Sequence, residues 1–134
     1  MRAEIIAVGT ELLLGQIVNT NAQFLSQALN DLGVDVYFHT VVGDNSRRML
    51  EAFRIAADRS ELVIITGGLG PTQDDITKEM LGEFTGRALQ MDGQAMRKIT
   101  DFFAERGLQM SDNNARQALT LSGSTVLPND NGLA

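Results

Sequence analysis

Leu62-Val63-Ile64-Ile65-Thr66-Gly67-Gly68-Leu69-Gly70-Pro71-Thr72-Gln73-Asp74-Asp75 is the stretch on which the fold turns. Its first four residues are apolar and mostly β-branched, which predicts a buried strand of the parallel kind. Three glycines then fall within four positions, with a proline after them. Such a chain turns sharply and brings its backbone close to a ligand. Ile76, Met80, Leu81 and Phe84 start a helical pattern. Thr72 to Asp75 has the form of a capping box, so a helix is expected over 75–85. A glycine-rich connection from strand end to helix start is a usual cradle for phosphate. Two bare carboxylates beside a phosphate require a divalent cation between them. One aspartate at a helix N-terminus is explained by capping alone, worth roughly 0.5–2 kcal/mol. The second is surplus to that need.

Upstream, Ile5-Ile6-Ala7-Val8 predicts a short apolar strand closed by Gly9. Leu12 to Val18 is apolar but irregular and takes no assignment. Thr20-Asn21-Ala22-Gln23 fits a capping box, and Leu25, Ala28, Leu29 and Leu32 give the stripe of an amphipathic helix. Gly33 stands where a helix C-cap glycine belongs. A second strand is expected over 34–42, and Asn45 or Ser46 caps a helix whose inner stripe is Met49, Ala52, Phe53 and Ala56. Downstream of the opening stretch, 87–91 reads as an edge strand. A helix from Asp92 to about Gly107 turns Ala95, Ile99, Phe102 and Phe103 inward. A short helix over 111–119 and a last strand near 124–128 follow.

Strands alternating with helices predict an α/β fold with a mostly parallel sheet covered on both faces. Ligands of such folds sit at the carboxyl ends of the strands. Three turns carrying glycine and acid gather there: Gly9-Thr10-Glu11, Gly43-Asp44 and Gly67 to Asp75. Together they point to a metal-phosphate site.

The chain has 134 residues, enough for one domain with a core. Hydrophobic residues make up 43%, as in a globular protein, and the net charge is −6. An acidic chain offers no field to attract nucleic acid or an anionic membrane. It holds no cysteine, so disulfides, zinc-thiolate sites and cysteine nucleophiles are excluded. No apolar run reaches the ~20 residues of a membrane span, and no signal peptide precedes the first strand. A cytoplasmic protein is expected. The abrupt end after Val126-Leu127-Pro128 predicts a truncated domain.

Gly68-Leu69-Gly70 lacks the third glycine and the position of a dinucleotide fingerprint, and no Walker or G-x-S-x-G pattern occurs. His39, the only histidine, reads as a packing residue inside the second strand, and the methionines read as core filler. Arg47 and Arg48 are expected at the surface.

Gly9 to Asn21, then Val42-Gly43-Asp44-Asn45, then Gly67 to Asp75 resemble the amino-terminal CinA (competence/damage-inducible) domain of the molybdopterin-binding superfamily. Asn114-Ala115-Arg116-Gln117-Ala118 also fits it. The resemblance covers essentially the whole chain, residues 1–134, as one domain. It implies a three-layer α/β/α sandwich and metal-dependent cleavage of the ADP-ribose diphosphate to AMP and ribose 5-phosphate. The implied cofactor is Mg²⁺, with K⁺ as a further candidate. Many members carry a carboxy-terminal amidohydrolase domain that has no counterpart here. The glycine loop is shared with molybdopterin-handling relatives, and the Glu11 turn with its leucine-rich extension favours the CinA branch.

On that reading Asp44, Asp74 and Asp75, with Glu11 as a fourth acid, ligate Mg²⁺ or position the attacking water. Gly67, Gly68, Leu69 and Gly70 offer backbone N–H groups to the diphosphate. Thr10 and Thr72 donate hydroxyl hydrogen bonds, or only shape their turns. Asn19 and Asn21 contact ribose or base, or stabilise the turn. Lys78 faces the phosphates or is a solvated helix lysine. The rival reading is a module that holds a pterin phosphate without hydrolysing it. The partner is then a small phosphorylated nucleotide or pterin, and the superfamily implies a homo-oligomer.

Overall fold

A computed structural model describes residues 1–133. The chain divides into two compact units, Met1–Gly68 and Leu69–Ala134.

The first unit is built on β1 (Arg2–Val8), which pairs in parallel with β2 (Asp35–Val42) and β3 (Leu62–Thr66) in the order β2-β1-β3. The middle strand is buried from Ala3 to Val8, whereas β3 is half-buried throughout. The expectation of a buried strand at 62–66 is corrected here: the strand has a partner on one side only within this sheet. Residues alternate between the two faces of β1, as a pleated strand demands. Ala3 and Ile5 pack with Ala22 and Leu29 of α2 (Thr20–Asp31). Glu4, one step out of phase, meets Arg59 of α3 (Ser46–Arg59) on the other face. Helix, sheet and helix make the three layers of an α/β/α sandwich.

Local chemistry sets the helix ends. Asn45 caps α3, its side-chain oxygen accepting the Arg48 N–H at 3.1 Å. Met49, Ala52, Phe53 and Ala56 are all buried, at the expected spacing. Asn19, not Thr20, caps α2 by accepting the Ala22 N–H at 3.2 Å. Leu32, just past that helix, is exposed. A single helical turn, α1 (Thr10–Leu13), runs from the expected Gly9-Thr10-Glu11 turn into the first two residues of the unassigned stretch. Arg47 and Arg48 are exposed, as expected. His39 is exposed too and hydrogen-bonds Ser26 at 2.7 Å, so its packing role is corrected to a surface contact between β2 and α2.

Glu4 is buried without exposed surface, and sequence inspection missed it. Arg59 grips it in a two-pronged pair at 2.8 Å each, and the Thr40 hydroxyl donates at 2.7 Å. The guanidinium lies 3.6 Å from the centre of the Phe38 ring. A buried carboxylate survives only when paired in this way.

The second unit contains α4 (Thr77–Thr85), β4 (Leu89–Met91), α5 (Gly93–Glu105), α6 (Asp112–Ala115), a 3₁₀ turn (Arg116–Ala118) and β5 (Leu119–Leu121). β4 and β5 pair antiparallel, Leu89 opposite Leu121. Asp92 caps α5, and Ile99 on its inner side is fully buried. Phe102 and Phe103 stand edge to face at 5.5 Å. Two expectations are corrected. α4 starts at Thr77 rather than Asp75, because Thr72–Asp75 closes on itself as a turn. The last strand lies at 119–121 rather than 124–128, and just after it the Ser122 N–H reaches the Ala88 carbonyl at 2.8 Å and extends the pairing. Met49 is fully buried, but Met1 and Met91 are exposed, so the methionines are not uniformly core filler. Among the described residues no helix is long and apolar enough to cross a membrane.

Candidate functional site

In the first unit the carboxyl ends of the three parallel strands lie side by side. Gly9 follows β1 and donates its N–H to the Val42 carbonyl at the end of β2, at 2.9 Å. Gly67 follows β3 at φ +92°, and a Cβ there would stand 2.1 Å from the Val8 carbonyl oxygen. Only glycine allows that approach of backbone to backbone. A hollow of about 140 Å³ opens between these ends. Glu11, Asn19, Asn21, Thr66 and Gly67 line its polar part, and Leu12, Ile17 and Val18 its apolar wall.

Of the expected site residues, Glu11, Asn19, Asn21 and Gly67 therefore share one hollow. The Asn21 amide donates to the Thr66 hydroxyl at 3.2 Å. Thr10 and Asp44 pair with each other beside it. The Thr10 N–H and hydroxyl both approach one Asp44 carboxylate oxygen, at 3.3 and 3.1 Å, and the Asp44 N–H approaches the Thr10 oxygen at 3.3 Å. Asp44 thus ties the turn after β1 to the turn after β2.

In the second unit Asp75 organises the loop from Gly70. One of its carboxylate oxygens accepts the Thr72 N–H at 3.0 Å and the Thr72 hydroxyl at 2.6 Å. A Cβ on Gly70 would lie 2.7 Å from that same oxygen, which explains the glycine. Burial acts to raise the Asp75 carboxyl. Hydrogen bonds from Thr72 and the Gly70 backbone, with the charge of Arg116, outweigh it and hold the group below its ordinary value. Arg116 braces the loop from outside by donating to the Thr72 carbonyl at 2.8 Å, the Asp75 carbonyl at 3.1 Å and Glu79 at 2.5 Å.

Lys78 is not the solvated helix lysine that was one of its two expected roles. It is half-buried and donates to the Gln117 carbonyl at 2.8 Å, and burial pushes its ammonium below the ordinary lysine value. Asp74 is exposed, and Gly68, Leu69 and Gly70 are half-buried. Sequence inspection missed Arg116 as a loop brace. Its only signal is its place in the Asn114 to Ala118 motif, because a residue 41 positions from Asp75 leaves no local periodic trace.

Among the described residues no three acidic or histidine side chains converge as a metal-binding group. Asp44 and Asp75 each offer one carboxylate oxygen to a neighbouring threonine.

Comparison with known proteins places this geometry. The family described as "Probable molybdopterin binding domain" matches residues 4–128. A putative competence-damage inducible protein of Geobacillus sp. (strain WCH70) is 59% identical over the whole chain. The chain spans about a third of the length of the curated relatives it matches (32% of that one). The crystal structure of the protein CinA from Thermoplasma acidophilum superposes with a TM-score of 0.87 at 34% identity, over 99% of this chain and 78% of that one. The molybdopterin biosynthesis enzyme MoaB from Thermus thermophilus shares the fold at a TM-score of 0.59 and 18% identity, over 87% of this chain and 69% of that one.

These findings correct the expectation of magnesium-dependent ADP-ribose hydrolysis. The matched family is described by molybdopterin binding, and the relatives named above carry competence-damage, CinA and molybdopterin biosynthesis names. Two of the acids on which the hydrolase reading rested, Asp44 and Asp75, accept hydrogen bonds from threonines in their turns.

Proposed function

The chain belongs to the molybdopterin-binding domain family, as a CinA-type amino-terminal domain, and from that premise we propose that it binds a molybdopterin-type ligand, a pterin carrying a phosphate. The observation that carries this reading is the hollow at the carboxyl edge of the parallel sheet, lined by Leu12, Ile17, Val18 and Gly67 among others. Open α/β sheets hold their ligands at this edge. A flat heterocycle finds an apolar wall and amide edges there, which is the usual composition of a small-molecule site.

A fluorescence titration with 6-hydroxymethylpterin phosphate tests the reading. Saturable quenching is expected from the parent, and Ile17→Asp, which places a charge on the wall, should weaken it about tenfold or more. A parent titration without saturation would overturn it. Self-association and a cytoplasmic location go with the same reading, and sedimentation and cell fractionation examine them separately.

A further inference from the structure

β2 is a terminal strand of the parallel sheet, paired with β1 alone among the described residues. Two hydrogen bonds fix which of its backbone groups face that partner. The Val42 carbonyl accepts from the Gly9 N–H, and the Asp35 N–H donates to the Met1 carbonyl at 3.1 Å. Successive residues of a strand turn their N–H and C=O to opposite sides. Counting back from Val42, Thr40 and Phe38 therefore face β1, and Val41 and His39 turn theirs outward. The register with β1 skips Tyr37, between Val36 and Phe38, so the outward row is regular from Phe38 onward.

Sheet edges are ordinarily blunted by lysine, proline or inward-pointing charge. Val36 to Val42 holds no Lys, Arg, Asp, Glu, Pro or Gly. Its β-branched and aromatic residues suit it to template another strand, and Tyr37 is 65% exposed. Only the skipped residue interrupts it.

A groove of about 370 Å³ lies between α2 and this strand, lined by Ser26 and Asn30 of the helix and by Asp35, Tyr37 and His39. Asp35 supplies its acid, and no Lys or Arg lines it among the described residues. A carboxylate beside an aromatic ring suits a guanidinium, which pairs with the one and stacks on the other. A second copy pairing through β2 would bring no Lys or Arg, because β2 contains none, and each copy carries a net charge of −6.

We infer that the outer edge of β2 takes an extended basic peptide as an added strand, with an arginine of that peptide seated in the α2–β2 groove against Asp35 and Tyr37. Backbone pairing to His39 and Val41 holds any sequence, and the groove selects the side chain. The groove shares no lining residue with the hollow beside Gly67, so this surface stands apart from the pterin reading.

Fluorescence anisotropy of the full chain with a short labelled peptide alternating valine and arginine tests this. Saturable binding is expected. The same peptide with glutamate for arginine should bind about tenfold more weakly or worse. Asp35→Asn should weaken the arginine peptide about threefold to fivefold, the yield of an exposed charge pair. Val41→Pro removes one outward N–H at an edge position, where proline is tolerated, and should weaken it about tenfold. Methylating alternate backbone nitrogens of the peptide keeps its charge, removes its ladder donors and leaves the protein untouched; it should cost about tenfold as well. Equal binding of the methylated peptide would overturn strand addition in favour of a diffuse charge attraction. Unchanged affinity in Asp35→Asn would overturn the seat of the arginine. Absence of binding, or sedimentation as a dimer that Val41→Pro converts to monomer, would overturn the peptide as occupant of this edge.

Discussion

Gly67 and Glu4 show what a single residue decides in this chain. A Cβ at Gly67 would collide with the Val8 carbonyl and its φ of +92° is strained for any other residue. Gly67→Ala is therefore expected to cost about 3 kcal/mol, read as a lower urea midpoint. Glu4 makes a pH-dependent contribution. Hydrogen bonds from Arg59 hold its carboxyl below the ordinary value of 4.5, with burial opposing and Thr40 assisting. A carboxyl depressed on folding stabilises fully above its unfolded value and loses that contribution as pH falls through the folded value. Glu4→Gln should cost about 2–3 kcal/mol at pH 7, somewhat less than a fully enclosed pair because the Arg59 side chain is 36% exposed. The gap between parent and variant should narrow below about pH 4, in urea titrations run from pH 3 to pH 7. Gly67 can be read from the run of glycines, whereas Glu4 looks like an ordinary polar residue at a strand start. Its partners lie 36 and 55 positions away, and only the pairing of β1 with β2 and α3 brings them to it.

At the scale of elements, the α3 stripe is legible because four apolar residues recur at helical spacing before any partner is known. Phe53→Ala, at the centre of that stripe, should cost about 3–5 kcal/mol by thermal or urea unfolding. Asn45→Ala removes the cap and should cost about 1 kcal/mol without altering ligand titrations. The loop from Gly70 to Asp75 is a turn, as its glycines and proline announce, but it is not the helix start that its capping-box pattern suggests. The reach-back half of the capping box forms, since Asp75 accepts from Thr72, but Ile76 intervenes before the first helical residue. Asp75→Ala releases two Thr72 bonds and should cost about 1–3 kcal/mol, with faster proteolysis confined to the 70–76 loop. Uniform protection of that loop in the variant would argue against Asp75 as its tie.

Across the whole molecule, β1 is paired on both sides and buried from Ala3 to Val8, whereas β4 and β5 are a three-residue pair. Amide hydrogen exchange should be slowest in Ala3–Val8 and much faster in Leu89–Met91. The alternation of apolar strands with capped, striped helices determined the α/β class from sequence alone, because strand and helix periods are local properties of the chain. The glycine turns likewise announced where the first and third strands end. The strand order, the central burial of β1, the Glu4–Arg59 pair and the bracing of the 70–75 loop by Arg116 were decided only by tertiary structure. The same holds for the work of the acids. In sequence, Asp44 and Asp75 were carboxylates beside glycines, with nothing to distinguish a metal ligand from a turn tie. In the folded chain each lies within hydrogen-bond reach of a threonine, and a hydrogen bond depends on distances that sequence spacing does not encode.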